Sequence, residues 1–191
     1  DMMSLQNLDE DSDLIPLMTS DDEEAISKES LPESLPILPL KNTVMFPGVV
    51  IPITATRDKS IKLIKDSNSK SKLIGVVSQK DSKVQNPSLK DIQSNGTVAK
   101  ILRVLQMPDG NVTVIIQGKK RFSIEKVITE EPYITAQIKE IKEIKPLKNN
   151  KEFIATIESI KDIALQIIEE NPNIPSEASF AIKNIQSDSF L

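Results

Sequence analysis

The chain of 191 residues contains no cysteine, no histidine and no tryptophan. Without cysteine there is no disulfide framework, no thiolate nucleophile and no cysteine-based metal site. Without histidine the chain lacks the usual general base, the usual zinc ligand and the usual switch near neutral pH. These absences leave few ways in which the chain itself could catalyse a reaction or hold a metal.

Long apolar runs and nucleotide motifs are also missing. No segment approaches the roughly 20 apolar residues of a membrane-spanning helix, and the acidic beginning is unlike a secretory signal or a transit peptide. Neither G-x-x-x-x-G-K-[ST], G-x-G-x-x-G nor G-x-S-x-G occurs. We therefore expect a cytoplasmic chain that makes no membrane contact and binds no cofactor.

Acidic residues are concentrated at the beginning of the chain, although the formal net charge is only −4. Residues 1–35 contain eleven acidic residues and one basic residue, whereas the remainder is mildly basic. Such a segment cannot bury enough apolar surface to offset the entropy of ordering. We predict a disordered acidic tail over 1–34, whose apolar patch at 14–18 is either a short interruption or a docking segment.

Residues 35–145 have the pattern of a β-rich domain. Phe46-Pro47-Gly48-Val49 predicts a type II turn between two short strands, because proline suits its second position and glycine its third. Three prolines, Pro36, Pro39 and Pro52, cannot donate ladder hydrogen bonds, which predicts that these strands begin at, or run along, a sheet edge. Residues 57–68 predict a short amphipathic helix, and residues 73–77 a strand buried on both faces.

A second group of strands follows a polar loop at 79–93. Residues 96–106 predict a long strand, and Met107-Pro108-Asp109-Gly110 predicts a hairpin turn in which Gly110 is left-handed. After it, apolar and polar positions alternate as in a strand with one buried face. Gly118 is predicted to allow another bend, and two further strands are predicted at 122–128 and 134–138.

The period of the apolar positions becomes helical near residue 146. Its seam consists of Phe153, Ile157, Ile160, Ala164 and Ile167. Asn171-Pro172 ends this helix, and a second helix is predicted from Glu177 to about residue 186. Because that helix approaches Leu191 without a cap, we expect the chain to be a fragment in which 146–191 is the start of a helical subdomain.

Apolar residues beside the turns are the candidates for a binding surface. They are Met45, Phe46, Leu105 and Met107. Methionine and phenylalanine at such positions form an adaptable apolar surface when exposed, and the alternative is that they fold back onto the core. The carboxylate of Asp109 is explained by its role in the turn.

Basic residues form a second cluster. They are Lys119, Lys120, Arg121, Lys139, Lys142 and Lys145. Nucleic-acid sites usually interleave such charges with stacking aromatic residues, and only Phe122 and Tyr133 lie nearby in sequence. We therefore interpret the cluster as a solvated face, with binding of the chain's own acidic tail as an alternative.

Several of these segments together, in order and spacing, resemble the N-terminal domain of the ATP-dependent Lon proteases. They are residues 38–53, 57–61, 74–80, 96–101, 108–110, 114–118 and 121–122. The resemblance implies an α+β fold: a PUA-like β-pseudobarrel with one short helix, followed by an α-helical subdomain. It further implies a substrate-recognition and assembly-supporting role in a homohexameric serine protease that degrades misfolded and selected regulatory proteins.

In the Lon family the nucleotide site and the Ser–Lys dyad lie downstream, so ATP and Mg²⁺ are expected there and no catalytic residue can be assigned in this chain. The expected partners are unfolded or degron-bearing proteins, held by weak contacts that six copies would reinforce. Two alternatives are a free-standing PUA-like module that binds a small ligand or RNA, and an enzyme in its own right. The missing cysteine, histidine and nucleotide loops argue against the enzyme.

Overall fold

The computed structural model describes residue 26 and residues 28–185, apart from 143, 145, 148 and 176. The apolar patch at 14–18 lies outside the described residues. The elements, in chain order, are β1 (Ser34–Leu40), β2 (Val50–Ala55), α1 (Asp58–Asn68), β3 (Leu73–Ser78), a 3-10 turn (Leu89–Asp91), β4 (Asn95–Gln106), β5 (Val112–Thr129), β6 (Thr135–Glu140), α2 (Lys151–Glu170) and α3 (Glu177–Asn184). This mixed α+β content agrees with the predicted class, whereas the PUA-like pseudobarrel stays a prediction.

One sheet organises the described residues, in the strand order β2-β5-β4-β3-β1-β6. β1 runs parallel to β3, and the other neighbours are antiparallel. The long strand β5 pairs with β2 and β4 near its start and with β6 near its end. Because β6 also pairs with β1, the sheet curls back on itself around its apolar side chains.

β5 continues through Gly118 as one strand of 18 residues. The prediction of a bend at Gly118 followed by a separate strand at 122–128 is therefore wrong, because these residues belong to one continuous strand. Ala99 pairs with Gly118 while Thr97 pairs with Arg121, so β5 holds one extra residue between these pairs. Such a bulge bends and twists the strand without ending it.

Both predicted glycine turns are confirmed. Gly48 has φ +80° and Gly110 has φ +87°, the left-handed region that glycine enters without steric cost. The Val49 N–H donates to the Phe46 carbonyl at 3.4 Å, and the Gly110 N–H donates to the Met107 carbonyl at 3.1 Å. Asp109 accepts hydrogen bonds from the backbone and side chain of Asn111, which confirms its turn role.

The proline prediction is confirmed for Pro52 and wrong for β1. β2 is the edge strand of the sheet, whereas β1 lies between β3 and β6. β1 tolerates its prolines because each end pairs on one side only. Pro36 pairs with β6 and Pro39 pairs with β3, so each missing N–H can face the unpaired side.

The core of the described residues has two parts. The first contains Leu38, Leu40, Met45, Ala55, Leu63, Ile64, Ile74, Val76, Ala99, Ile101, Val112, Val114 and Ile116. The second contains Leu35, Ile37, Val77, Ile92, Val98, Phe122, Ile134, Ala136 and Ile138. Val112, Val114 and Ile116 are buried in alternation with partly exposed neighbours, as predicted. The predicted strand at 73–77 has four successive buried residues, which confirms burial on both faces.

The predicted helix at 153–167 is present as α2, but its apolar seam is not a buried core. Ile157 is its one buried residue, whereas Ile160 and Ile167 are exposed. α2 packs mainly against α3 among the described elements. None of the helices in the described residues has the length and apolarity needed to cross a bilayer.

The end of the predicted disordered tail is ordered. Ile26 is buried, and Leu31 packs against the second part of the core. The Glu33 carbonyl accepts a hydrogen bond from the Ile138 N–H at 2.9 Å, which extends the contact between β1 and β6. The prediction that residues up to 34 belong to a disordered tail is therefore wrong for these residues, because Ile26 is buried, Leu31 packs against the core and Glu33 bonds to β6.

Candidate functional site

The β4–β5 hairpin exposes two of the four predicted binding residues. Leu105, near the end of β4, is 37% exposed, and Met107, in the turn, is 43% exposed. Leu102 lies earlier on the same strand, at a bulge between Ile101 and Arg103, and is also exposed. We call Leu102, Leu105 and Met107 the hairpin surface.

The strands beside the hairpin surface present few charges. Leu105 pairs with Thr113, which pairs with Thr54 on β2, so these side chains share the outer face. In the neighbouring row, Arg103 pairs with Ile115 and Ile115 pairs with Pro52. Arg103 is the one charged residue in these two rows, which leaves an apolar and weakly polar face open to solvent.

Met45, in contrast, does not belong to a surface. Its side chain is 5% exposed and packs within the first part of the core. Its carbonyl accepts a buried hydrogen bond of 2.7 Å from the Thr97 hydroxyl. The prediction of Met45 as a substrate contact is wrong, because the loop turns this side chain inward and its neighbours outward.

Phe46 is 51% exposed but lies apart from the hairpin surface. Its backbone is next to Gly118, while the hairpin meets β5 at Val112. These positions are six residues apart on an extended strand, or about 20 Å. The Arg121 guanidinium lies 5.9 Å from the Phe46 ring centroid, so a cation already occupies one side of this ring.

The predicted solvated basic face is wrong for Lys119 and Lys120. Both side chains are largely buried, because carboxylates from neighbouring segments approach them. The Lys119 ammonium lies 3.5 Å from Glu29, and the Lys120 ammonium lies 3.1 Å from Glu140 of β6. Since Glu29 belongs to the predicted tail, the alternative in which the cluster binds the tail is supported at this residue.

Two concave regions accompany these surfaces. A polar cleft of about 600 Å³ lies between the loop at 42–44 and the loop after β3, with Val44 exposed at its side. A smaller cavity of about 150 Å³ lies at the beginning of α1. Among the described residues, no group of three acidic side chains is placed to hold a metal ion.

The smaller cavity combines apolar walls with polar groups of α1. Ile37 and Leu63 line it, as do Arg57, Ser60 and Tyr133. The Arg57 guanidinium donates to the Pro39 carbonyl at 2.9 Å and to the Gln85 carbonyl at 3.4 Å. Burial lowers the pKa of this guanidinium.

Tyr133 and Asp66 form a pair near this cavity. The Tyr133 hydroxyl donates to the Asp66 carboxylate at 3.1 Å. Burial and this hydrogen bond raise the pKa of Tyr133 above its ordinary value. Burial alone would raise the pKa of Asp66, but hydrogen bonds from Lys62 and Tyr133 outweigh it, so that pKa is lowered.

The sequence interpretation did not identify Arg57 and Ser60 as cavity residues. In sequence, the segment indicates only the start of an amphipathic helix. One feature does stand out afterwards: arginine occupies the N-cap of α1, and its side chain makes no capping bond. Serine, threonine, aspartate and asparagine are the usual residues at that position.

The chain is similar in sequence to known proteins. A family model described as the ATP-dependent protease La (LON) substrate-binding domain matches residues 34–191. The chain is 63% identical over 191 residues to the Lon protease of Flavobacterium johnsoniae, a match that covers 100% of this chain and 23% of that protein. It is 48% identical over 179 residues to the Lon protease of Cytophaga hutchinsonii, which covers 94% of this chain and 22% of that protein.

The chain thus spans less than a quarter of the length of these two relatives. Among solved structures, the N-terminal domain of a Mycobacterium avium complex Lon protease has a TM-score of 0.65 at 21% identity, covering 82% of this chain and 77% of that one. That likeness concerns the fold alone. Together with the family model, it confirms the resemblance found in the sequence, and the chain belongs to the family of Lon substrate-binding domains.

Proposed function

We propose that this domain uses its hairpin surface to capture exposed apolar segments of unfolded or degron-bearing proteins. The observation that carries this proposal is the exposure of Leu105 and Met107 on a face with few charges. Apolar side chains placed together in water favour contact with apolar partners. The flexible thioether of Met107 suits partners of varied shape.

Each single contact is weak. Full burial of a leucine or methionine side chain stabilises by about 1.5–3 kcal/mol, so two half-exposed side chains contribute only about 1 kcal/mol each. Such contacts need reinforcement by effective concentration. We infer that the chain is part of a cytoplasmic, homohexameric, ATP-dependent serine protease, in which six copies face one substrate and ATP, Mg²⁺ and the Ser–Lys dyad belong to other domains.

Side-chain contact is favoured over addition of a substrate strand to the sheet. The open edge of the sheet belongs to β2. Just before β2 begins, the Gly48 N–H donates to the Gly118 carbonyl, and the Gly118 N–H donates to the Val49 carbonyl. Counting along the ladder from these bonds, Pro52 falls among the residues whose backbone groups point away from β5. Because Pro52 has no N–H, the middle of the open edge lacks a donor.

The alternative of a free-standing PUA-like module for a small ligand or RNA is less favoured. Lys119 and Lys120 are paired and largely buried. A phosphate backbone would need those ammonium groups at the surface. Membership in the Lon substrate-binding family also favours protein partners.

The test is binding of the 191-residue chain to a permanently unfolded polypeptide, such as reduced and carboxymethylated α-lactalbumin. The double substitution Leu105→Ser and Met107→Ser should weaken binding roughly thirtyfold, because about 1 kcal/mol is lost from each side chain. Ile128→Ser is the matched control, since Ile128 is an exposed apolar residue at the far end of β5.

Separate measurement of Phe46→Ser distinguishes the two exposed surfaces. A loss of binding with Phe46→Ser, together with normal binding of the hairpin variant, would contradict the hairpin surface as the contact. Equal losses with Ile128→Ser would contradict any localised surface. Unchanged thermal unfolding of each variant shows that the loss concerns contact rather than folding.

A further inference from the structure

The cavity at the beginning of α1 contains a cation, the Arg57 guanidinium, for which the described part of the chain supplies no carboxylate partner. Arg57 is partly buried and donates to two backbone carbonyls, Pro39 and Gln85. No carboxylate of the described residues lies within ion-pair distance of its guanidinium. A guanidinium carries five N–H donors, so this one has donors left for an oxyanion.

The helix itself adds donors at the same place. The first helical hydrogen bond runs from the Ile61 N–H to the Arg57 carbonyl at 2.9 Å. The three N–H groups before it, on residues 58–60, therefore have no partner within the helix, and the Arg57 side chain does not cap them. Together with the helix dipole, free N–H groups favour an anion here.

Ser60 is a third, independent indication. It is 6% exposed and lines the cavity. Within the part of the chain that the structure describes, its hydroxyl has no hydrogen-bond partner. Ser60 Oγ is not among the fully enclosed side-chain atoms of the described residues that lack a partner, which are Ser67 Oγ and Gln79 Oε1, so it keeps some contact with the open space of the cavity. A ligand oxygen in the cavity would satisfy it.

Size and walls restrict the ligand. A volume of about 150 Å³ is at most half of the ~300–1,000 Å³ typical of small-molecule sites, which excludes a nucleotide. The walls include Ile37, Leu63 and Ile134, whose apolar surfaces suit a hydrocarbon group rather than a fully hydrated ion.

We propose that this cavity binds a carboxylate carried on an apolar residue, as at the C-terminal end of a polypeptide. The Arg57 guanidinium and the free N–H groups of α1 hold the carboxylate, the Ser60 hydroxyl donates to one oxygen, and the last side chain lies against Ile37 and Leu63. The choice of a polypeptide rests on the proposed function, whereas the carboxylate rests on the cavity alone.

Acidic residues beside the cavity include Asp66, which is paired with Tyr133 and Lys62, and two residues of the segment before β6. Glu131 pairs with Lys59. Glu130 lines the rim and is exposed, so solvent weakens its repulsion of a bound carboxylate. The remaining repulsion is small but acts only on a charged ligand, so Glu130→Gln should tighten carboxylate binding by no more than about twofold and leave an uncharged ligand unaffected.

The chain contains its own probe, because Tyr133 is its one tyrosine and tryptophan is absent. Tyr133 fluorescence is followed while the 191-residue chain is titrated with N-acetyl-leucine and with a peptide that ends in leucine and has no aromatic residue. N-acetyl-leucinamide and the C-terminally amidated peptide are the matched uncharged ligands, and inorganic phosphate is the competing oxyanion. Both carboxylates should give a saturable change in fluorescence. Both amides should bind at least about tenfold more weakly than the matching carboxylates.

The variants test the named groups. Arg57→Gln should weaken the carboxylates about tenfold and Ser60→Ala severalfold, leaving the amides unchanged. Lys65→Gln removes the same charge from the exposed last turn of α1 and should have no effect. Ser60→Ala keeps the test decisive if Arg57→Gln lowers folding stability.

Several results would overturn the proposal. Equal affinity for acids and amides would contradict recognition of a carboxylate. Saturation by phosphate alone would show that the cavity binds a different anion. If N-acetyl-leucine binds and the peptide that ends in leucine does not, the C-terminal end of a polypeptide is not the ligand. Because the Leu105→Ser, Met107→Ser variant should keep full carboxylate binding, failure of this site and failure of the hairpin surface can be distinguished.

Discussion

The α-carbon of Gly118 lies against the carbonyl group of Phe46. A Cβ added to Gly118 would overlap the Phe46 carbonyl oxygen and stand 2.9 Å from the Phe46 carbonyl carbon. Contacts below 3.0 Å with backbone cannot be relieved by moving a flexible side chain. This close approach fixes the loop that exposes Phe46 and buries Met45.

Gly118→Ala should therefore destabilise the fold by about 3 kcal/mol, because β5 and the Phe46 loop must separate. For a chain of this length that loss corresponds to a fall in melting temperature of roughly 6–12 °C. Gly110→Ala is the contrasting variant, since nothing lies within 4 Å of its added Cβ and only φ +87° opposes it. It should lose about 1 kcal/mol. Equal losses in thermal unfolding would contradict a steric role for Gly118.

The buried hydrogen bond from Thr97 to the Met45 carbonyl holds the same loop from the other strand. Thr97→Val should cost about 2 kcal/mol in urea unfolding, because the carbonyl then remains buried without a donor. Amide hydrogen exchange in residues 45–48 should become faster. Thr113→Val is the matched control: its hydroxyl contacts that of Thr54 at 3.1 Å on the surface, and the loss should stay below about 0.5 kcal/mol. A similar loss in both variants would refute this prediction.

The correct predictions concern interactions between residues close in sequence, whereas the missed features depend on residues far apart in sequence. The turns at Gly48 and Gly110 and the alternation at 112–116 depend on local backbone geometry and on period, which a single sequence contains. The burial of Met45 depends on Thr97, far along the chain, and the burial of Lys119 depends on Glu29. Such pairings exist only once the sheet has formed.

The candidate sites follow the same division. The sequence predicts Leu105 and Met107 correctly as exposed residues, because a hairpin-turn motif indicates that the residues beside it lie at the surface. The cavity at Arg57 and Ser60 was not predicted, because its walls come from β1, α1 and the segment before β6. The exposed seam of α2 shows the reverse case, in which a clear helical period does not say what the helix packs against.

Pro52 protects the open edge of β2. Pro52→Val supplies an N–H in the middle of that edge, and valine has a strong preference for strands. Light scattering should show concentration-dependent association of this variant under conditions where the parent chain stays monodisperse. Thr54→Val is the matched control, because it adds a similar apolar side chain to the same strand without adding a donor. Association of both variants to the same extent would mean that hydrophobicity, not the missing N–H, limits pairing.

The single tyrosine reports on its hydrogen bond with Asp66. Burial first, and the donated hydrogen bond second, raise the pKa of Tyr133 above 10.0. Because the folded pKa exceeds the unfolded one, the stabilisation is fully present below pH 10 and is lost as the pH rises through the folded pKa. Asp66→Asn should move the midpoint of tyrosinate absorbance down towards 10 without reaching it, since burial persists. Circular dichroism over the same pH range shows whether the chain stays folded, and an unchanged midpoint in a folded variant would mean that Asp66 does not hold the phenolic proton.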